Sequence, residues 1–276
     1  MNTIVVKNLS KHFGAVKALD KISFTVEEGS ITGFLGPNGA GKSTTMNVLL
    51  GFISATAGSA SLLGKKITIN DPTTRRDVGY LAASAPLDRS LRAWQEIEYY
   101  GHLAKNYDKQ YVDELAGKLS LDLNAKIGTL STGNHQKVAL IIALMTKPKL
   151  LILDEPTNGL DPLVQAEFNK IIMDLKKQGS TIFISSHILS EVDELCDTFI
   201  FIRAGKIVAE KTRAELRRRS RNKLIHVKSE DFERAGELLI KAKIPFKVTE
   251  QTDLSDEFMS YYTDEDKAGK KGGLHV

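Results

Sequence analysis

Two rhythms of apolar residues run along the 276-residue chain. Short runs alternate with polar residues or are apolar throughout. Longer stretches repeat at the helical spacing, so strands and helices should interleave. Thr3–Val6 is β-branched and Ile22–Val26 alternates, which predicts two half-buried strands. Glu27–Ser30 reads as a turn, and Ile31–Leu35 as a strand entering a glycine-rich loop. After Lys42 a helical pattern carries Met46, Leu49 and Leu50 and stops at Gly51. Val78–Leu81 reads as a strand, about Leu91 to Leu121 as polar helix, and Asn134–Met145 as a buried helix. Leu150–Leu153 is apolar without a break, as in a strand covered on both faces of a parallel sheet. Helical Pro162–Lys177, strand Thr181–Ser185, helical Leu189–Leu195 and strand Phe199–Ile202 follow. The alternation predicts an α/β core with a parallel sheet.

Composition narrows the class. Apolar residues are 42% and charged residues 26%, ordinary for a folded domain and against extended disorder. The single cysteine, Cys196, allows no intramolecular disulfide and no cysteine zinc site, and fits a reducing compartment. The longest apolar stretch, Val138–Met145, is far short of the roughly 20 residues that cross a bilayer. The N-terminus lacks a basic region followed by an apolar core, so it is not read as a secretory signal. With 38 Lys and Arg against 34 Asp and Glu, the net charge of +4 is too small to argue for nucleic acid. Much of the excess falls between Lys211 and Lys223, with Arg213, Arg217, Arg218, Arg219 and Arg221 between them. Such runs are commonly solvated helix faces, and an anionic membrane surface is the functional alternative. Beyond it, Leu224–Val227, Phe232–Lys241, Phe246–Val248 and Leu254–Tyr262 read as strand, helix, strand and helix of a small α+β appendage. Residues 267–273 read as a disordered tail.

Candidate chemistry begins at Gly36-Pro37-Asn38-Gly39-Ala40-Gly41-Lys42-Ser43, which satisfies G-x-x-x-x-G-K-[ST] between a strand and a helix. Gly36, Gly39 and Gly41 permit unusual backbone angles and remove side chains that would block a phosphate. The helix that follows offers its N-terminal amides and positive dipole end to an anion. Lys42 suits β- and γ-phosphates, and the Ser43 hydroxyl is a hard ligand for Mg²⁺. A second feature is the strand ending in Asp154-Glu155. Burying two carboxylates is expensive, and a nucleotide with Mg²⁺ would explain them. Successive strand residues point to opposite sides. Asp154 is therefore expected to hold the metal and Glu155 to act as general base toward the attacking water.

The ordered set resembles the ATP-binding subunit of ABC transporters. Leu130-Ser131-Thr132-Gly133-Asn134 resembles the family signature and precedes the Asp154-Glu155 strand, as in that family. Gly159-Leu160-Asp161-Pro162 resembles the D-loop, Ser185-Ser186-His187 the switch histidine, and Phe13 the aromatic that stacks on adenine. The motifs span residues 13 to 187, and the resemblance continues to about 210. It implies a P-loop ATPase core over 1–210 with an N-terminal antiparallel β subdomain. A helical subdomain is inserted at about 84–145, and the appendage covers 211–276. It also implies nucleotide contacts at Phe13, Val16, Gly36, Asn38, Gly39, Ala40, Gly41, Lys42, Ser43, Thr44, Ser131, Gly133 and Asp161. Ser43 and Asp154 would be metal ligands, with Lys42, Glu155 and His187 catalytic. ATP and Mg²⁺ would be the cofactors. The expected partners are a second ATP-binding subunit and an integral membrane permease, with no nucleic acid. The chain would then sit at the inner face of the cell membrane through that permease. The tail Leu254–Tyr262 resembles export-type subunits.

One position departs from the family pattern. Its usual metal-ligating glutamine aligns with Ala83, in Ala82-Ala83-Ser84. Alanine cannot ligate a metal, so either Mg²⁺ takes an extra water or Ser84 reaches in after a one-residue shift. Slowed hydrolysis is expected. The rival readings are an ATP-gated dimeric module with vestigial hydrolysis and a non-transport ABC ATPase. The single cassette and the lack of heptads between Lys42 and Ser131 argue against the second rival.

Overall fold

The computed structural model describes residues 1–69, 71–104, 108–219 and 232–241. The chain divides into two units, Met1–Thr212 and Arg213–Val276.

The first unit opens with a long hairpin, β1 (Asn2–Phe13) against β2 (Val16–Glu27). β3 (Ile31–Leu35) runs into the glycine loop, and α1 (Lys42–Leu49) leaves it. β4 (Ala57–Leu62) returns to pair with the free edge of β1, and the two-residue β5 (Lys65–Lys66) follows. These strands make an antiparallel sheet of order β2-β1-β4-β5. β6 (Val78–Leu81) begins the part of the chain that carries three helices, α2 (Ala93–Ala104), α3 (Lys109–Lys118) and α4 (Thr132–Leu144). β7 (Leu150–Asp154), α5 (Pro162–Lys177), β8 (Thr181–Ser186), β9 (Thr198–Arg203) and β10 (Lys206–Thr212) complete the unit.

The second sheet has the order β10-β9-β3-β8-β7-β6. It is parallel except for the edge strand β10. β3, β7 and β8 are buried at every residue, as the unbroken apolar run at 150–153 predicts. One face of this sheet shares a core with α1 and the antiparallel sheet. Phe24, Phe34 and Phe183 meet there with ring centroids 5.2–5.7 Å apart. Packed aromatics of this kind add about 0.5–1.5 kcal/mol per pair beyond the area they bury. The core fixes where β3, β7 and β8 end, and the candidate chemistry sits at those ends.

Two sequence expectations change. Leu189–Leu195 is not an α-helix. It forms a 3-10 turn at Leu189–Glu191 and continues as short turns. Leu189, Val192, Leu195 and Cys196 are all buried, and the Asp197 carboxylate must reach the amide of Ile31 just before β9 begins. The close turns deliver both within few residues. The strand β10 was not expected at all, and Lys211 belongs to it rather than to a basic helix.

The described elements of the second unit are α6 (Arg213–Arg219) and α7 (Phe232–Lys241), the latter at the bounds the sequence predicts. The expected strands at 224–227 and 246–248, the helix at 254–262 and the tail at 267–273 lie outside the described residues. Among the described residues no helix is long and apolar enough to cross a membrane.

Candidate active site

The glycine loop is built by close approach as much as by backbone freedom. A Cβ at Gly36 would lie 2.3 Å from the Ile202 carbonyl oxygen of β9, so only glycine lets the loop pass there. Gly41 has φ +111°, in the left-handed region, and a Cβ there would also meet the Ala18 carbonyl at 2.9 Å. α1 begins directly after it with no side-chain cap and no acid in its first turn. Its first amides and the positive end of its dipole are therefore left to an anion.

Lys42 is 6% exposed and curls back over the loop. Its Nζ donates to the carbonyl oxygens of Gly36 at 2.6 Å and Pro37 at 3.2 Å. The Glu155 Oε1 lies 3.2 Å from the same nitrogen. That oxygen has no hydrogen-bond partner, so the contact is charge attraction rather than a directed bond. The other oxygen, Oε2, is 2.8 Å from His187 Nδ1. A carboxylate oxygen accepts, so Nδ1 is the donor. Glu155 thus bridges the loop lysine and the histidine at the end of β8.

The two carboxylates do take different directions, but not for the reason strand alternation gives. β7 ends at Asp154, and Glu155 turns into the left-handed region with φ +50°. A non-glycine residue there is strained by about 1–2 kcal/mol. The Ser185 hydroxyl of β8, fully buried, donates to Asp154 Oδ1 at 2.5 Å and accepts from the Glu155 amide at 3.0 Å. Asp154 is itself 2% exposed. Its charge reaches Tyr80 on β6, whose hydroxyl is pushed up to about 12, by burial first and by Asp154 second.

Lys42, Glu155 and His187 line a cleft of about 330 Å³, whereas Asp154 is not among its lining residues. Asn38, Gly39, Gly41, Lys42, Ser43 and Thr44 form one wall, and Glu155 and His187 another. Ala83 lines it too, whereas Ser84 does not. Ala18 and Asn158 complete the lining and were not singled out from the sequence. Gly36 and Ala40 lie within the loop itself. Phe13 and Val16 flank the turn of the β1–β2 hairpin, with Lys11 Nζ 4.8 Å from the Phe13 ring centre. Phe13 is 50% exposed.

Ser131, Gly133 and Asp161 lie outside the cleft, at helix starts. Ser131 caps α4 by accepting from the Asn134 amide at 3.3 Å. Asp161 caps α5 by accepting from the amides of Leu163 and Val164. The start of α4 is joined to the carboxylate loop in two ways. Gln136 Nε2 donates to the Pro156 and Glu155 carbonyls at 3.1 and 3.4 Å. Gly133 passes so near Gly159 that a Cβ would sit 2.4 Å from its carbonyl oxygen. The same loop is tied to the turn after β8 by the Thr157 hydroxyl, which donates to Glu191 Oε2 at 2.7 Å, and Ser186 Oγ lies 3.4 Å from the same oxygen. Gln136, Ser185 and Glu191 escape sequence reasoning, although a glutamine inside a buried helix and a serine inside an apolar strand were available signals.

The family model described as ABC transporter matches residues 19–158. The chain belongs to the ABC transporter family. It is 37% identical over 228 residues to the bacitracin transport ATP-binding protein BcrA of Bacillus licheniformis, covering 81% of this chain and 74% of that one. It is 38% identical over 208 residues to the lantibiotic transport ATP-binding protein SrtF of Streptococcus pyogenes, covering 75% and 89%. A solved ATP-binding subunit of an ABC transporter superposes with a TM-score of 0.72 at 28% identity, over 79% of this chain and 93% of that one. This ABC protein is thus an ATP-binding subunit, and its mixed α/β core is the ABC cassette fold.

Proposed function

We propose that this subunit hydrolyses ATP to drive a separately encoded membrane permease that exports its cargo. The observation that carries the reading is the convergence of Lys42, Glu155 and His187 on one cleft beside the glycine loop. The names of the bacitracin and lantibiotic relatives support export.

The phosphates would lie against the amides of the loop and of α1. Lys42 would exchange its contacts with the Gly36 and Pro37 carbonyls for β- and γ-phosphate oxygens. Glu155, released from Lys42, would accept the proton of the attacking water. His187 would hold the Glu155 carboxylate in place through Nδ1. Phe13 and Val16 are assigned to the adenine side.

The donor set fits Mg²⁺. Among the described residues no group of three or more His, Cys, Asp or Glu forms a cage that could hold a metal alone. A hydroxyl lining the cleft (Ser43) and a buried carboxylate (Asp154) next to the cleft-lining Glu155 would be the protein share of a Mg²⁺ site that phosphate and water oxygens complete. When bound, the ion would neutralise charge on the phosphates.

Ser131, Gly133 and Asp161, outside the cleft, are assigned to the nucleotide of a second subunit across a closed dimer. The subunit would work at the inner face of the membrane, held there by its permease. Steady-state ATPase measurement tests the reading: Mg²⁺-dependent turnover is expected, and none in Lys42→Ala. Absence of turnover in the unmodified chain, alone and with its co-purified permease, would leave an ATP-gated module without hydrolysis.

A further inference from the structure

Ser185 hydrogen-bonds at both carboxylate positions at once, to the Asp154 carboxylate and to the Glu155 amide. It stands in the β8 register directly opposite Asp154 on β7. Its three predecessors, Ile182, Phe183 and Ile184, are apolar and buried, as befits an inner strand. A fully buried hydroxyl in such a strand is destabilising unless both its hydrogen-bonding roles are used. Here both are. The proton goes to Asp154 Oδ1 at 2.5 Å, and the oxygen receives the Glu155 amide at 3.0 Å.

The two bonds have different consequences. The first engages Asp154 Oδ1 and restrains the carboxylate's orientation, which leaves Oδ2 as the oxygen for a metal. The second anchors the amide of a residue in the left-handed region. That anchor holds the turn which carries the Glu155 carboxylate to Lys42 and His187. A hydroxyl serving one carboxylate alone would leave the other to the loop.

We infer that Ser185 is a positioning residue that couples Mg²⁺ binding at Asp154 to placement of the Glu155 base. The inference rests on the ATPase reading above. Hydrogen-bond partners of metal-ligating side chains change metal affinity or activity by about 10–100-fold when removed. Ser185→Ala removes both bonds, and Ser185→Thr keeps the hydroxyl.

The experiment uses the full chain and two readouts. One is the Mn²⁺ affinity of the ADP-loaded chain, read by electron paramagnetic resonance. The other is the Mg²⁺ midpoint and kcat of ATP hydrolysis. Ser185→Ala is expected to weaken Mn²⁺ about tenfold or more, to shift the Mg²⁺ midpoint upward in step, and to lower kcat beyond what saturating Mg²⁺ restores. Ser185→Thr is expected to recover the midpoint. A purely structural role would lower the active fraction and scale the rate at every Mg²⁺ concentration without moving either midpoint. Ser185→Cys, close in shape with a weak donor, gives the same decision where the alanine chain does not fold. Unmoved midpoints in the folded variant overturn the inference while wild-type turnover keeps the ATPase reading intact. A wild-type chain with no turnover, alone and with its co-purified permease, overturns the ATPase reading itself.

Discussion

Gly133, near the start of α4, and Gly159, in the turn after β7, meet backbone to backbone. A Cβ on Gly133 would stand 2.4 Å from the Gly159 carbonyl oxygen, closer than carbon and oxygen can approach. The reverse is not true. A Cβ on Gly159 would meet nothing nearer than Thr132 Cγ2 at 3.6 Å, though its φ of +76° still disfavours a side chain. Gly133→Ala should therefore push α4 away from the carboxylate loop at a cost of about 1–3 kcal/mol, the range for overpacking. Gly159→Ala should cost about 1 kcal/mol from backbone strain alone. Urea unfolding of both variants checks the order. ATPase activity should fall further in Gly133→Ala, because Gln136 on the same helix bonds the Glu155 and Pro156 carbonyls. Equal stability of the two variants would remove the steric argument.

Glu155 is held by charge on one side and by an imidazole on the other, so Glu155→Gln tests chemistry with little change of shape. The amide keeps a carbonyl oxygen for His187 Nδ1 but loses the charge facing Lys42 and the capacity to take a proton. Turnover should drop by about 100-fold or more, the lower bound for losing a general base. ATP binding should survive, since the phosphate cradle is untouched. An ATP-bound dimer is then expected to accumulate on gel filtration. Normal turnover in this variant would take Glu155 out of the base role.

The parts of the site that sequence reading reached are those whose chemistry is local. Lys42 and Ser43 follow the glycines directly, and Asp154-Glu155 follow an apolar run whose burial needs no knowledge of neighbours. What it missed depends on residues far away in the chain. Ser185 means little until the β8 register puts it beside Asp154. The sequence offers unusual backbone angles and room for a phosphate as the reasons for Gly36, yet the structure's demand for glycine comes from Ile202 on β9. The edge strand β10 has no fully buried residue, only alternate half-buried and exposed ones, so its apolar signal is faint. The false helix at 189–195 has near-helical spacing of apolar residues at Leu189, Val192 and Leu195. The structure buries those same residues through successive tight turns.

Alkaline stability follows from two tyrosines. Burial pushes the Tyr80 and Tyr111 hydroxyls up to about 12, with Asp154 adding to the first and Glu114, then Asp174, to the second. Their ordinary value is 10.0. Because the folded chain favours the neutral phenols, this contribution is fully present below pH 10 and is lost as pH rises from 10 toward 12. The melting temperature should fall steeply across that window. The Tyr80→Phe/Tyr111→Phe double variant, with no phenol to ionise, should show a shallower fall over the same window. Parallel melting curves across the window would show that neither tyrosine sets alkaline stability.

Ala83 lines the cleft where the family pattern carries a glutamine, and its methyl group offers no oxygen to a metal or its waters. Lys42, Ser43, Asp154, Glu155 and His187 are all present, so hydrolysis should persist at a reduced rate rather than vanish. Ala83→Gln restores an amide oxygen at the cleft that Glu155 and His187 also line. If that oxygen joins the metal's surroundings, Mg²⁺ affinity or kcat should rise about tenfold, the lower end of the effect of such partners. Combining it with Glu155→Gln separates the two contributions. The double variant should keep any gain in metal affinity, read with Mn²⁺ on the ADP-loaded chain, while remaining unable to turn over. Ala83→Gln with both Mg²⁺ affinity and kcat unchanged would mean that position 83 has no part in the metal site, and the slowed-hydrolysis argument would fall with it.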